Sequence, residues 1–128
     1  IKSRRLNMTM SRLIGLYQYS ISGFWGYETY ETQQNDEKSR GVSLNFNHNM
    51  VQNLSAGFSY EHTWSEFLDR PDIGKEKTAT YRLNSQYDLI RDVNIGAFLQ
   101  YETRANGNNQ TREYEELTAG FSLEWILL

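Results

Sequence analysis

The sequence predicts an all-β chain of about seven antiparallel strands, running up and down as a transmembrane β-barrel. Three observations carry this. Apolar and polar residues alternate with a period of two through most segments, the signature of a two-faced strand. Tight turns alternate with long polar connections. Tyr and Trp gather near the ends of the apolar stripes, where a bilayer meets its headgroups. Residues 1–128 are expected to form one barrel domain or the C-terminal portion of one.

The first two strands have the weakest patterns. Leu6, Met8 and Met10 oppose Asn7, Thr9 and Ser11. After a turn near Gly15, Tyr17, Tyr19, Ile21, Trp25 and Tyr27 oppose Gln18, Ser20, Ser22, Gly26 and Glu28. The third strand is cleaner. Val42, Leu44, Phe46, His48 and Met50 face one way, and Ser43, Asn45, Asn47 and Asn49 the other. The fourth sets Leu54, Ala56, Phe58, Tyr60, His62 and Trp64 against Ser55, Gly57, Ser59, Glu61 and Thr63. The fifth sets Ala79, Tyr81, Leu83 and Leu89 against Thr80, Arg82, Asn84, Gln86 and Asp88, with Ser85 a blemish on the apolar side. The sixth sets Val93, Ile95, Ala97, Leu99 and Tyr101 against Asn94, Gly96, Phe98, Gln100 and Glu102. The seventh sets Leu117, Ala119, Phe121, Leu123, Trp125 and Leu127 against Thr118, Gly120, Ser122 and Glu124.

A repeat underlies these strands. Leu13-Ile14-Gly15-Leu16-Tyr17, Met50-Val51-Gln52-Asn53-Leu54 and Leu89-Ile90-Arg91-Asp92-Val93 read alike. They recur at roughly 38 residues, and Leu127-Leu128 falls where a fourth copy would begin. Each is followed by a Gly and a Tyr-Glu pair, then by a polar stretch. Those stretches hold Gln33-Gln34-Asn35-Asp36, Pro71-Asp72-Ile73-Gly74 and Asn106-Gly107-Asn108-Asn109, which are turn compositions. The unit is a hairpin: strand, loop of about ten residues or more, strand, tight turn.

Alternation also fits a soluble sandwich or a lipocalin-like binding barrel, whose apolar face would line a dry interior. The polar face argues for a membrane wall. It is mostly Ser, Asn, Thr, Gln and Gly, which suit a confined wet lumen. Tyr27, Tyr60, Trp64, Tyr81 and Tyr101 lie toward the long loops, and Tyr17, Tyr87 and Trp125 toward the tight turns, as two girdles would. Val42, Leu44, Phe46, Phe58, Leu83, Ile95, Leu99, Phe121 and Leu123 are then expected to face lipid. A mean hydropathy of −0.71 is compatible with this, because only alternate strand residues meet hydrocarbon.

Bulk properties close other routes. The formal charge of −3 argues against nucleic acid as a partner. With no Cys there is no disulfide framework and no thiolate zinc site. No apolar run is long enough for a transmembrane helix. The chain opens on Ile1, the form expected of a mature product or an excised portion.

The last strand adds a resemblance. Thr118, Gly120, Leu123 and Trp125 fill a pattern similar to the signal by which outer-membrane proteins are recognised for assembly. Such proteins commonly end in an aromatic, whereas this chain runs on through Ile126 to Leu128. Taken whole, the chain resembles the C-terminal part of porin-like barrels associated with exopolysaccharide or capsule export in Gram-negative bacteria. The resemblance implies residence in the bacterial outer membrane and passive transport of saccharides or small polar solutes. It also implies a lipid bilayer with lipopolysaccharide and the outer-membrane assembly machinery as partners. A bacterial single-chain barrel usually has an even strand number, so the missing strands are expected from the rest of the chain or from another subunit.

Charges facing the lumen are the candidate functional residues: Arg5, Arg82 and Arg104, with Glu28, Glu61, Glu102, Glu116 and Glu124. Charged rings set ion preference in pores, and this mixture suggests weak selectivity slightly favouring cations. Pairing across strands that merely holds the wall is an equal reading. Phe24 and Phe98 also point inward, where they could narrow the lumen, stack on sugar rings or pack against a plug. A hydrolase would need a His beside a Ser and an acid. Both histidines, His48 and His62, fall in the apolar register, so no enzyme is expected. Asn35-Asp36-Glu37 and Asp69 with Asp72 lack calcium-loop spacing, and neither a metal nor a cofactor is expected. The competing function is a scaffold barrel that houses or binds a partner protein.

Overall fold

A computed structural model describes residues 2–29 and 36–125. The expected loop residues Gln33, Gln34 and Asn35, and everything after Trp125, lie outside the described residues. Seven strands form: β1 (Lys2–Ile14), β2 (Tyr17–Thr29), β3 (Glu37–Val51), β4 (Leu54–Phe67), β5 (Lys75–Ile90), β6 (Val93–Asn106) and β7 (Tyr114–Trp125). They lie side by side in chain order, each antiparallel to the next. This is the predicted up-and-down order. Among the described residues β1 and β7 do not pair with each other, so the sheet is open at both edges.

The register fixes the faces as the alternation predicts. Tyr19, Phe46, Phe58, Leu83, Leu99 and Ala119 form one unbroken cross-strand row. Ser20, Asn45, Ser59, Arg82, Gln100 and Thr118 form a row on the opposite face. Among the described residues no dry interior gathers the apolar set. Ile73 and Ala79 are the buried hydrophobic residues among those described, while Leu44 is 40% exposed, Phe58 39% and Leu123 72%. A soluble sandwich would hide these side chains, and water would not tolerate so broad an apolar stripe. Hydrocarbon is the solvent that fits it.

The strands run further toward the long loops than the alternation suggests. β3 begins at Glu37, β5 at Lys75 and β7 at Tyr114. The connections shrink to residues 68–74 and 107–113, shorter than expected; the second contains a 3-10 turn, Gln110–Arg112. The physical reason is that pairing continues past the apolar band. There the outward positions carry Lys and Arg, which read as loop composition in sequence. The opposite ends close with two-residue turns at Gly15-Leu16, Gln52-Asn53 and Arg91-Asp92. Gly15 has φ 57°, a left-handed conformation that glycine adopts without steric cost. A bulge precedes each of the other two turns: Asn49 pairs with Ser55 and Val51 with Leu54, and Asp88 pairs with Asn94 and Ile90 with Val93.

Candidate functional site: the polar face of the wall

Pairing brings the lumen-facing charges into two kinds of surroundings. The first is a construction that occurs twice. Arg5 on β1 lies with its guanidinium carbon 4.3 Å from the centre of the Phe24 ring on β2. Phe24 in turn lies over Gly41, its direct partner on β3, where a Cβ would overlap the ring. Arg82 on β5 lies 4.3 Å from the Phe98 ring on β6, and Phe98 lies over Gly120, its direct partner on β7. Each arginine is diagonal to its phenylalanine, which directly opposes Asn7 in one case and Asn84 in the other. Each arginine also donates to a neutral oxygen: Arg5 Nε to Asn7 Oδ1 at 3.0 Å, and Arg82 to Gln100 Oε1 at 3.4 Å.

These triads settle the posture of Phe24 and Phe98. Both rings are seated between a guanidinium and a glycine on the wall, not extended as free blades across a lumen. Gly120, expected as part of an assembly signal, has a packing role as the seat of Phe98. Its motif neighbours divide by face. Thr118 points inward and its hydroxyl donates to Glu116 Oε1 at 3.3 Å, while Leu123 and Trp125 face outward, 72% and 68% exposed.

The second kind of surrounding is a polar knot at the long-loop end of β5 and β6. Arg112 Nε donates to Glu76 Oε2 at 2.9 Å, and Arg104 Nε lies 3.4 Å from Glu76 Oε1. Asn106, fully buried, donates to the same carboxylate at 3.3 Å and accepts at Oδ1 from the backbone N–H groups of Asn108 and Asn109, each at 3.0 Å. The Arg104 guanidinium also sits 4.8 Å from the Tyr114 ring. The knot folds the 107–113 connection down onto the sheet. Glu76, Asn106, Arg112 and Tyr114 were not among the sequence candidates. Extending the even-numbered register of β5 outward from Thr80 through Thr78 would have found Glu76.

The expectation that lumen charges pair across strands holds for Arg104, whose acid is Glu76 rather than any of the expected glutamates. Arg5 and Arg82 meet no carboxylate within ion-pair distance among the described residues. Glu102 and Glu116 directly oppose one another, a repulsive arrangement. Neutral donors hold them: the Tyr114 hydroxyl and Thr80 Oγ1 donate to Glu102. Glu61 and Glu124 project from the same inward register and are exposed. Glu28 opposes Glu37 at the outer end of β2 and β3. Serines complete the surface, with Ser22 and Ser43 in hydroxyl contact across β2 and β3.

The outward face is aromatic, as expected. Tyr60, Tyr81 and Tyr101 form one row, with ring centres 4.9 and 6.3 Å apart. His48 stacks on Tyr17 at 4.1 Å, and His62 lies between Tyr60 and Trp64, accepting or donating at Nδ1 to the Tyr60 hydroxyl at 2.9 Å. Both histidines are thus in the apolar register. In the 68–74 connection Arg70 clasps Asp72 with two hydrogen bonds of 2.9 and 2.8 Å, and Asp69 accepts from the Asp36 backbone.

No protein-family model matches the sequence, and no curated protein matches it. Among solved structures the chain is similar to OmpTdeltaL8, a loop L8 deletion mutant of OmpT, an outer membrane protein of Vibrio cholerae. The TM-score is 0.78 at 11% sequence identity, over 97% of this chain and 38% of that one. The chain therefore spans well under half the length of the structure it matches. What the two share is the fold: these seven strands have the architecture of the wall of an outer-membrane β-barrel.

Proposed function

We propose that the chain is part of the wall of a passive pore in the bacterial outer membrane, admitting small polar solutes, saccharides among them. One observation supports this above the others. The face turned away from the apolar stripe is lined by Ser, Asn, Thr, Gln and Gly with scattered charges, a surface that holds water and passes polar molecules. The two phenylalanines are folded back against that surface instead of standing out from it. In hydrocarbon the unpaired edges of β1 and β7 must find partners, so further strands close the ring, from other segments of the protein or another subunit. Recognition by the outer-membrane assembly machinery through Thr118, Gly120, Leu123 and Trp125 belongs to the same reading, as does an association with exopolysaccharide or capsule export.

The test is conductance. The full-length protein reconstituted in a planar bilayer should give discrete steps, and liposomes containing it should swell in isotonic small sugars. Absence of both, together with a co-purifying protein, would replace the pore with a scaffold barrel. A particle that stays monodisperse without detergent would remove the membrane reading altogether.

A further inference from the structure

We propose that the outer rim of this wall carries a binding site for a phosphate-bearing lipid of the outer leaflet, formed on the outward face by Lys38, Arg40, Lys75 and Lys77 with Trp25 and Trp64. The inference rests on the membrane reading above and names a lipid ligand for it.

Charge is divided between the two faces. Acids dominate the inward side, with Glu28, Glu61, Glu76, Glu102, Glu116 and Glu124 against Arg5, Arg82 and Arg104. The outward side shows the reverse. Trp25, Arg40, Trp64 and Lys77 form one cross-strand row, aromatic alternating with cation across β2 to β5. The next row outward is Tyr27, Lys38, Glu66 and Lys75. Four cations therefore face one acid, and that acid is only 4.0 Å from Lys75. Lys38, Arg40 and Lys77 meet no carboxylate within ion-pair distance among the described residues. Arg40 instead packs over the Trp64 ring at 5.6 Å. A fixed cluster of like charges with one weak counter-ion is a site that wants an anion.

Height identifies which anion. From Met50, beside the tight turn, Arg40 is ten residue steps up β3, roughly 33 Å of strand. A tilt of about 40° reduces this to about 25 Å, the depth of the apolar band. Arg40 thus stands at the outer boundary of the hydrocarbon, and Lys38 lies beyond it. This is the level of lipid phosphates, and the aromatic partners are those that favour the interface.

Shape supports a lipid over a free ion. A groove of about 200 Å³ lies among Trp25, Lys38, Arg40, Trp64, Lys75 and Lys77, with Glu66 and Glu76 also in its wall, so cations outnumber acids by two to one. A second groove, of about 350 Å³, continues from it toward the membrane centre over Leu6, Met8, Gly23 and Val42, and the two share Trp25, Arg40 and Trp64. The absence of a side chain at Gly23 opens the lower groove, since the nearest neighbour to a Cβ there is the Gly41 carbonyl at 3.6 Å. A cationic cup above an apolar slot matches a phosphate headgroup with an acyl chain below it.

The test uses the full-length protein folded in a neutral detergent, titrated with diphosphoryl lipid A, its dephosphorylated form, and inorganic phosphate. Diphosphoryl lipid A should bind at least tenfold more tightly than either of the others. K38Q, R40Q, K75Q and K77Q should each weaken that binding on the order of fivefold, the value of one cation near a charged membrane surface. Gly23→Leu, which fills the slot, should weaken lipid A while leaving any response to inorganic phosphate unchanged. The lumen variant Arg82→Gln should bind as the parent does. Equal affinity for the dephosphorylated lipid, or full affinity in all four variants, overturns the proposal. Inorganic phosphate binding as tightly as the lipid also overturns it, in favour of a free-ion site. Should the variants fail to fold, salt decides: binding by the parent must weaken from 0.05 to 0.5 M, roughly, as the Debye length shortens, and a salt-independent affinity overturns the site. If the membrane reading itself is at fault, the protein will stay soluble without detergent and will not insert into vesicles. A protein that inserts but ignores the phosphate has lost only this inference.

Discussion

Strands β1 to β3 and strands β5 to β7 are built on one frame and finished differently. On the inward side the same residues recur at the same register positions: Arg5 and Arg82, Asn7 and Asn84, Phe24 and Phe98, Glu28 and Glu102, Gly41 and Gly120, Ser43 and Ser122. On the outward side the apolar anchors also recur, with Ile21 matching Ile95, Tyr27 matching Tyr101 and Leu44 matching Leu123. The cations do not. Where the first copy has Arg4, Lys38 and Arg40, the second has Tyr81, Leu117 and Ala119. In the second copy outward cations remain only on β5, as Lys75 and Lys77, and β6 and β7 are built without any. Guanidinium on phenylalanine on glycine belongs to the frame, whereas the outward cations sit at non-matching positions of the two copies and meet across β4.

Exchanging the two faces should have the largest effect. Phe46→Arg or Leu83→Arg places a charge in hydrocarbon and should cost roughly 2–4 kcal/mol in folding equilibria measured in vesicles. Asn45→Arg, one residue from Phe46 and facing inward, should be tolerated. Equal losses from both faces would refute the assignment. The equivalence of the two copies is sharpened by Gly41→Ala and Gly120→Ala. Each added methyl meets a phenylalanine ring, and at Gly41 the His62 carbonyl as well, and should cost about 1–3 kcal/mol by overpacking. Similar values mean equivalent seats, and a loss confined to one copy means that the likeness is superficial. The polar knot lies outside the shared frame, so Glu76→Gln should act locally. It leaves Arg104 and Arg112 without their acid, at a cost of about 1–2 kcal/mol, and should expose residues 107–113 to protease before the rest of the chain. In a conducting pore, Arg5→Gln and Arg82→Gln should shift the reversal potential in a salt gradient toward cations by similar amounts.

The smallest effect concerns pH. The hydrogen bonds from Arg70 hold the Asp72 carboxyl below its ordinary value of 3.8. A carboxyl lowered by folding contributes stability above its unfolded value and loses it as the pH falls through the folded one. The 68–74 connection should therefore keep its shape to a more acid pH than an unpaired aspartate would allow, and NMR titration of Asp72 checks this. An unshifted midpoint would mean that the clasp does not form in solution.

Much of the fold is legible in the residues because a membrane strand advertises itself by parity. Phe46 and Asn45 need no knowledge of their neighbours to be placed on opposite faces. The outer strand ends were not legible for the same reason. At Lys38, Arg40, Lys75 and Lys77 the outward side chains stop being apolar, so parity no longer distinguishes strand from loop. The seats of Phe24 and Phe98 needed something else again, the register that sets each ring over a glycine on the next strand. The repeat of the three-strand frame was hidden because the spacing between matching residues differs from strand to strand. Glu76 combined two of these difficulties, lying at a strand end and drawing its partners from two other segments.

The bulges beside two of the tight turns have a consequence for how this chain tolerates changes of length. Excision of Met50 would leave Asn49 next to Val51, with their partners Ser55 and Leu54 already adjacent; excision of Leu89 would do the same for Asp88 and Ile90. Each hairpin would become regular and no side chain would change sides. The Gly15-Leu16 turn holds no such spare residue, because Ile14 pairs directly with Tyr17. A single-codon deletion between Met10 and the turn would turn Leu6, Met8 and Met10 toward water and Arg5 toward lipid. Evolutionary drift in length is thus permitted at two corners of the wall and forbidden at the third.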